Sequence, residues 1–302
     1  MIRLGVNVPN FGPESSYDAL LGWARFVEDG GFDTLVVSDH VVLTPEVAAI
    51  YPEPFHDPFV LLAWLAGQTS TVRLGTSVIL LPYRHPLHTA RMSAMLHLMS
   101  GGRFVLGVGA GWSATEFAAL GADHARRGPV TDEYLEMITE AWARSQVDGP
   151  GYRDAWTGPR PPEGRVPVWV GGASRRAIRR AVRSGSGWHP INPDLGWLRD
   201  EGRPALRKEA AEQGRPVPEL VVRMKARLQA SPAGPGRPAG VGTLAQVVGD
   251  MGALAGLGAA EVILDPNPDQ PRPRDYGAEQ RDLREIKEAY AAGVAGLPAS
   301  PG

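Results

Sequence analysis

Ser100-Gly-Gly-Arg-Phe-Val-Leu-Gly-Val-Gly-Ala-Gly-Trp112 is the stretch that decides the fold. An apolar run over 104–108 lies between two groups of glycines, which predicts a strand that is entered from a tight turn. The later glycines remove side chains from the far end of this strand, so we expect a flat or anionic ligand to approach bare backbone there. Residues 109–114 also match the loose dinucleotide pattern G-x-G-x-x-A, so the stretch fits either a Rossmann turn or one strand end of a barrel.

Strand-like and helix-like segments alternate along the whole chain, which is typical of a parallel α/β fold. The predicted strands are 2–8, 34–37, 72–80, 103–108, 166–170, 187–191, 220–229 and 261–264. Helices are predicted from the spacing of apolar residues, and from caps and first-turn prolines, over about 16–29, 58–69, 86–99, 130–145, 175–183, 195–212, 243–257 and 280–292. Eight such units predict an α/β protein with a single (β/α)8 TIM barrel over 1–292 and a disordered tail over 293–302.

The position of the glycine-rich strand favours the barrel over the Rossmann fold. A Rossmann turn starts its β-α-β unit, and an acidic residue ends the second strand about 20 residues later. Here the acidic candidates, Asp132 and Glu133, fall in a predicted helix, and the glycine-rich strand is the fourth in the chain. Two insertions, 43–56 and 148–165, interrupt the pattern, and we expect both at the C-terminal face of the barrel, where barrel active sites lie.

Composition narrows the functional classes. The net charge of -2 argues against a nucleic-acid partner. The chain has no cysteine, which excludes disulfides and thiolate catalysis, and His85-Pro-Leu-His88 has no partner carboxylate motif, so no metal site is predicted. Without an apolar run of about 18 residues or a signal-peptide pattern, we expect a cytoplasmic protein with no membrane partner.

The C-terminal ends of barrel strands carry functional side chains, so those ends give the candidate site. They contribute Asn10, then Asp39 and His40, then Thr76, Ser77 and Val78, then Gly109, Ala110, Gly111 and Trp112, then Gly171, Gly172, Ala173 and Ser174, and then Trp188 and His189. Asp39 and His40 fit either a proton-transfer or hydrogen-bonding pair over a ligand ring or a buried pair that caps a loop. The run from Gly171 to Ser174, with Arg175 next, fits either a phosphate seat at a helix N-terminus or an ordinary turn with an N-cap serine.

Two further groups of side chains follow from this placement. Trp112, Trp169 and Trp188 are candidates for a flat aromatic pocket. Glu116 and Arg127 flank the loop after the fourth strand, and we expect them to form a structural ion pair with each other.

Several short motifs resemble, in order over about residues 1–190, the luciferase-like monooxygenase superfamily of flavin and deazaflavin barrels. They are Pro9-Asn-Phe-Gly12, Val37-Ser-Asp-His-Val41, Leu74-Gly-Thr-Ser-Val78, Leu80-Leu-Pro82, the glycine-rich stretch from Ser100 to Trp112, Glu116-Phe117, Pro167-Val-Trp-Val-Gly-Gly172 and Gly187-Trp188. The branch that uses coenzyme F420, an 8-hydroxy-5-deazaflavin, is the most similar. The resemblance implies an oxidoreductase that passes a hydride between F420 and a small organic substrate.

The resemblance also implies roles for residues at the barrel mouth. Asp39 and His40 match positions near the ring, Ser77-Val78 matches a non-prolyl cis peptide beneath it, and the run from Gly171 to Ser174 matches the phosphate region. Ala110-Gly111 matches backbone close to the cofactor, and we expect Asn10, Trp188 and His189 at the substrate. Sugar-phosphate dehydrogenases of this branch carry an acidic residue where Trp112-Ser113-Ala114 stands, which argues against sugar-phosphate oxidation.

Other functions on the same barrel remain open from the residues alone. One is an FMN-dependent monooxygenase, another is a flavin-binding protein without turnover, and a third is a phosphate-sugar enzyme that uses no flavin. Relatives in this superfamily commonly form dimers through their barrel helices, so the resemblance also implies a homodimer.

Overall fold

The computed structural model describes residues 2–149 and 151–295 of the 302-residue chain. Eight parallel strands each pair with the next along the chain, and the eighth also pairs with the first. The sheet is therefore closed, which confirms the predicted (β/α)8 TIM barrel. The strands are β1 (Arg3–Asn7), β2 (Thr34–Val37), β3 (Arg73–Thr76), β4 (Phe104–Gly109), β5 (Val168–Gly171), β6 (Gly187–His189), β7 (Glu219–Lys225) and β8 (Ala259–Asp265).

Helices that follow the strands cover the outside of the barrel. They are α1 (Tyr17–Asp29), α2 (Pro58–Ala66), α3 (Pro86–Met99), α4 (Arg127–Ala143), α5 (Arg175–Ser184), α6 (Arg203–Glu212), α7 (Leu244–Gly256) and α8 (Tyr276–Ala295). Their starts follow local chemistry, because Ser16 and Asp57 accept hydrogen bonds from first-turn amides of α1 and α2. Pro86 begins α3 at the position where a missing amide hydrogen costs least. Among the described residues, no helix is both long and apolar enough to cross a membrane.

Several predicted elements differ from the observed ones. The third predicted strand, 72–80, is divided into β3 and a second short strand, Ile79–Leu80, because the chain bends at Ser77 and Val78. The predicted helix 195–212 is divided into Leu195–Trp197, a π-helical turn over Leu198–Gly202, and α6. The seventh predicted strand, 220–229, ends at Lys225, and Arg227–Leu228 instead pairs with Val241–Gly242.

The insertions contain structure that the sequence patterns did not predict. A helical turn, Pro45–Ala48, lies in the first insertion, which follows β2 and is at the C-terminal face as expected. An antiparallel hairpin of Gln146–Gly149 and Tyr152–Trp156 lies in the second. The second insertion connects α4 to the start of β5, so it lies at the N-terminal end of the barrel, and the expectation that it lies at the C-terminal face is wrong. A further short helix, Ala114–Ala119, follows β4. Residues 293–295, predicted as part of a disordered tail, continue α8, and 296–302 lie outside the described residues.

The inside of the barrel is apolar in the middle and polar at both ends. Five buried side chains from different strands fill the middle, namely Val36, Val105, Trp169, Val221 and Ile263. At the N-terminal end the buried carboxylate of Glu261 pairs with Arg3 and Arg73. Since side chains alternate along a strand, the inward positions that follow Val221 are Arg223 and Lys225, so charge collects at the C-terminal end.

Candidate active site

A cavity of about 350 Å³ opens at the C-terminal end of the barrel, within the size range of small-molecule sites. One wall is largely apolar and contains His40, Tyr51, Val78, Leu80 and Trp112. The opposite wall is polar and contains Asn192, Arg223, Lys225, Asn267 and Asp269. Five of the predicted site residues line this cavity, namely Asp39, His40, Ser77, Val78 and Trp112.

His40 is held by a buried carboxylate. Its Nδ1 lies 2.7 Å from Oε2 of Glu116, while the amides of Val41 and Val42 donate to Oε1 at 2.7 and 3.2 Å. A carboxylate only accepts hydrogen bonds, so Nδ1 carries the proton and Nε2 is left as the free ring nitrogen. In the described part of the chain Nε2 has no protein hydrogen-bond partner, so it is available to a ligand in the cavity.

The charge of Glu116 is stabilised by its surroundings. Burial by itself would raise the pKa of Glu116. The hydrogen bond and charge of His40, together with the two backbone amides, have a larger opposite effect, so the pKa of Glu116 lies below its ordinary value. Tyr83 donates its hydroxyl to Oε2 at 3.1 Å, and burial together with this carboxylate raises the pKa of Tyr83. Glu116 therefore contacts His40 and Tyr83. Arg127 instead donates to the carbonyl of His124, so the expected ion pair between Glu116 and Arg127 is wrong.

Asp39 supports the loop rather than contacting His40. Its carboxylate accepts hydrogen bonds from both terminal nitrogens of Arg84, at 2.6 and 2.7 Å, and from the amide of Leu80 at 2.9 Å. This two-bond pairing neutralises the carboxylate at the cavity wall. These contacts fit a structural role for Asp39 better than a role in proton transfer. The buried pair that it forms is with Arg84 and not with His40.

The floor of the cavity is formed by Ser77 and Val78, whose peptide bond is cis, as the resemblance implies. The Ser77 carbonyl accepts a hydrogen bond from Nη1 of Arg223 at 2.8 Å, and the Ser77 hydroxyl lies 2.8 Å from Nε2 of His189. Nδ1 of His189 faces the carbonyl of Val221 at 2.9 Å, so Nδ1 is the protonated nitrogen and Nε2 accepts from Ser77. Complete burial lowers the pKa of His189 to about 4, so the imidazole is neutral.

The glycines of β4 make room for protein atoms. A Cβ on Gly107 would meet the carbonyl carbon of Thr76 at 2.9 Å, and one on Gly109 would meet Cγ2 of Val78 at 2.6 Å. At Gly111 a Cβ would lie 2.8 Å from the ring of Phe117, and the positive φ of 81° also favours glycine. The absence of a Cβ at these positions is therefore explained by close packing within the protein, and the approach of a ligand to this backbone stays a prediction. Half-exposed Ala110 lies next to the cavity-lining Trp112 in the chain.

Two predicted residues are fully engaged in holding the strand ends together. The Thr76 hydroxyl donates to the carbonyl of Gly107 and accepts from its amide, so it ties β3 to β4. The side-chain nitrogen of Asn10 donates to the carbonyls of Ser38 and His56, and its side-chain oxygen accepts from the amide of Ser38. Neither side chain presents a free polar group to the cavity, so both serve to hold the strand ends in place.

The aromatic pocket expected from three tryptophans is not assembled. Trp112 lines the cavity, with its ring 5.9 Å from that of His40. Trp169 instead fills the barrel interior beneath Arg73. Trp188 is buried, donates to the carbonyl of Gly172 at 2.8 Å and packs on Trp197, so it does not reach the cavity.

The predicted phosphate region lies at the protein surface beside the cavity. Ser174 caps α5 by accepting from the amide of Ala177 at 3.2 Å, and Gly172, Ala173 and Arg175 are exposed. The contacts among described residues match an ordinary turn with an N-cap serine, and they leave the surface open for an anion.

Sequence reasoning missed the charged wall formed by β7 and β8. Arg223 and Lys225 both contact Oδ2 of Asp265, at 2.9 and 3.3 Å. Burial raises the pKa of Asp265, but the two cations lower it, and the net pKa is well below its ordinary value. The signal in the sequence was Val221-Val-Arg-Met-Lys225, where two cations occupy the same face of an otherwise apolar strand.

The family model for luciferase-like monooxygenases matches residues 2–233. The chain belongs to the luciferase-like monooxygenase family. This luciferase-like protein is 33% identical over 246 residues to the F420-dependent glucose-6-phosphate dehydrogenase of Beutenbergia cavernae, covering 77% of this chain and 69% of that protein. It is 30% identical over 234 residues to a putative coenzyme F420-dependent oxidoreductase of Mycobacterium tuberculosis, covering 68% of this chain and 62% of that protein.

Solved structures show the same barrel at lower sequence identity. An F420-dependent secondary alcohol dehydrogenase in complex with an F420-acetone adduct superposes with a TM-score of 0.75 at 16% identity, covering 96% of this chain and 99% of that one. The oxygenating constituent of 3,6-diketocamphane monooxygenase from Pseudomonas putida, in complex with FMN, superposes with a TM-score of 0.76 at 19% identity, covering 96% and 98%. At this identity the likeness to the solved structures concerns the fold alone. The family match and the F420-dependent relative place this luciferase-like protein among oxidoreductases and monooxygenases. They do not determine which cofactor it binds.

Proposed function

We propose that the protein is an F420-dependent oxidoreductase that transfers a hydride between the deazaflavin and a small organic substrate. The observation that carries this proposal is His40 at the cavity wall, with Nδ1 fixed by Glu116 and Nε2 free. Two relatives of the chain, at 30% and 33% identity, are named for F420, which supports the deazaflavin over other ring cofactors.

The cavity fits a flat ring. Val78, Leu80 and Trp112 supply apolar surface, and the Ser77–Val78 backbone forms the floor on which the ring would lie. The exposed turn from Gly172 to Arg175 would face the phosphate and its anionic tail. When bound, the deazaflavin supplies the hydride chemistry, while the protein supplies orientation and proton handling.

The residues around the cavity have separable tasks. His40 holds or moves a proton at Nε2, because Glu116 keeps the proton of Nδ1 in place. Arg223 fixes the Ser77 carbonyl and so holds the floor of the cavity. The apolar wall, together with Tyr51 of the first insertion, excludes water from the reacting atoms.

An FMN-dependent monooxygenase is the second candidate. The FMN complex of the Pseudomonas putida enzyme has this fold, and FMN ends at its phosphate instead of carrying a longer anionic tail. The open, exposed turn at Ala173 and Arg175 favours the longer tail over a closed phosphate cup.

Titration of the purified protein with each cofactor tests the proposal, with absorbance and fluorescence as the readout. We expect saturable binding of F420 that is tighter than binding of FMN. Tight FMN binding without F420 binding would show the monooxygenase alternative to be correct. Binding of neither cofactor would overturn both and favour a barrel enzyme that uses no flavin.

We also infer that the protein forms a homodimer through α2 and α3. Of eleven large apolar side chains exposed in the described ranges, five lie on these two neighbouring helices: Val60, Trp64, Met95, Leu98 and Met99. An apolar surface of this kind on a soluble barrel is typical of a protein–protein interface.

A further inference from the structure

We propose that an oxyanion group of the substrate, a carboxylate or a phosphate, binds at the position of the Asp269 carboxylate on the polar wall of the cavity, between Lys225, which lines the cavity, and Arg227, which lies next to it, and that Asp269 occupies this position until the substrate arrives. The inference rests on the proposed function, and it adds that the substrate binds beside the ring, at the polar wall of the same cavity. It narrows the substrate class from small organic molecules to anionic ones.

The first support is the balance of charge on this wall. Arg223 and Lys225 line the cavity and are almost completely buried, and Arg227, two positions further along, contacts the cavity-lining Asp269. One fully buried carboxylate, Asp265, is shared between Arg223 and Lys225. A buried cation without its own partner is strongly unfavourable, so the wall requires a second anion.

Asp269 supplies that anion from the rim of the cavity. Its Oδ1 lies 3.0 Å from Nζ of Lys225, and its Oδ2 lies 2.8 Å from Nη2 of Arg227. The side chain of Asp269 is 66% exposed, whereas that of Asp265 is completely buried. Asp269 thus bridges two cations from the solvent side, in the way that a ligand carboxylate would.

Displacement of the Asp269 carboxylate by a ligand requires little free energy. A largely exposed ion pair contributes little to stability, so the carboxylate can leave when another oxyanion arrives. Lys225 keeps its bonds to Asp265 and to the carbonyl of Asn267 during the exchange, so the cation stays in place.

Other charges at the cavity do not oppose an anion there. The carboxylate of Asp39 is neutralised by Arg84, and Glu116 lies behind His40. Because His40 and Lys225 line the same cavity, a small substrate held by its anionic end at Lys225 can present its reacting carbon toward His40.

The test is anion binding to the full-length protein without added cofactor, measured by calorimetry and by the shift of the thermal midpoint. Inorganic sulfate and propionate are the probes, and chloride keeps the ionic strength constant. We expect Asp269→Asn to bind the probes about tenfold more tightly than the unmodified protein, because it frees the two cations. Lys225→Met should abolish this binding.

Asp200→Asn is the matched control, since Asp200 is 60% exposed and pairs with Arg199 away from the cavity. It should leave anion affinity unchanged. If Lys225→Met does not fold, Arg227→Ala should show the same loss, because Arg227 is partly exposed and makes no contact with Asp265 among the described residues. Stronger binding of propionate identifies a carboxylate substrate, and stronger binding of sulfate identifies a phosphate ester.

The proposal is overturned if Asp269→Asn binds the probes no better than the unmodified protein, or if loss of Lys225 or Arg227 leaves binding intact. This result is distinguishable from failure of the proposed function. Anion binding without F420 binding would overturn the F420 assignment alone, and F420 binding without anion binding would overturn the oxyanion site alone.

Discussion

A single carboxylate sets the orientation and tautomer of the histidine that lines the cavity. Glu116 is completely buried, accepts two backbone amides through one oxygen and binds His40 through the other. These contacts hold the imidazole in one orientation and one tautomer. In the proposed function, His40 is therefore the residue that contacts a ligand, and Glu116 is a positioning residue.

Replacement of either partner should reduce turnover more than cofactor binding. We expect His40→Ala to lower kcat by about 100-fold or more, and Glu116→Gln to lower kcat by about tenfold, because general acid–base catalysis and its orientation are lost. The Kd for F420 should change by less than about threefold in both variants. Steady-state kinetics and cofactor titration give the two quantities.

Glu46→Gln provides the control, because Glu46 is an exposed carboxylate that bonds Ser113 and Thr115 rather than His40. It should keep kcat near the unmodified value. Unchanged turnover in His40→Ala would remove the catalytic role of His40.

Because His189 is buried, we expect the free energy of unfolding to decrease in mildly acidic solution. Burial lowers the pKa of His189 to about 4 in the folded state, while the unfolded value is about 6.5. Between these values the unfolded chain binds the extra proton, so the free energy of unfolding falls as pH decreases from about 6.5 to about 4, by about 3 kcal/mol in total. Urea unfolding at several pH values measures the slope.

His189→Gln should flatten this slope, because glutamine does not titrate. His88→Gln, at an exposed position, should retain the slope of the unmodified protein. An equal slope in His189→Gln and in the unmodified protein would contradict the assignment.

The turn after β3 and the strand β4 form one packed unit at the scale of elements. Val78 inserts its side chain against Gly109 and Gly171, and the Thr76 hydroxyl bonds both backbone groups of Gly107. The glycines of β4 therefore allow close packing of neighbouring backbone, and the cavity floor depends on that packing.

Gly109→Ala should destabilise the protein by about 1–3 kcal/mol, because the new methyl group would overlap Val78. Val78→Ala in the same chain should recover part of the loss. Gly252→Ala in α7, where the added carbon meets no atom within 4 Å, should instead stabilise the protein by about 0.5–1 kcal/mol. Denaturant unfolding compares the variants, and equal stability of Gly109→Ala and the unmodified protein would rule out the overlap.

At the scale of the whole molecule, the closed barrel buries its strands but leaves one apolar helical face exposed. Val60 of α2 and Met99 of α3 are 72% and 62% exposed. Covering this face with a second copy would bury apolar surface on both chains.

We expect light scattering after gel filtration to give the mass of a dimer. Trp64→Glu combined with Met99→Glu should give a monomer, because charges in an apolar interface lose their hydration without gaining partners. Trp156→Glu is the control, since Trp156 is 79% exposed and lies on the hairpin rather than on α2 or α3. A monomeric unmodified protein would contradict the inferred interface.

The architecture could be predicted from the residues alone, because strand and helix signals are local. Apolar spacing and caps predicted α3 over 86–99, the residues that the structure shows, and the order of eight units predicted the barrel. They also placed Asp39, His40, Ser77, Val78 and Trp112 at one end of it, where the cavity lies.

Which side chains contact one another in the cavity depends on the closed barrel, and no local pattern predicted it. His40 and Glu116 are 76 positions apart, Ser77 and His189 are 112 apart, and Ser77 and Arg223 are 146 apart. No local pattern relates such residues, because closure of the barrel brings distant strand ends within hydrogen-bond distance. The charged wall of Lys225 and Asp265 arises in the same way, since adjacent parallel strands point their inward side chains at one another only after the sheet has closed.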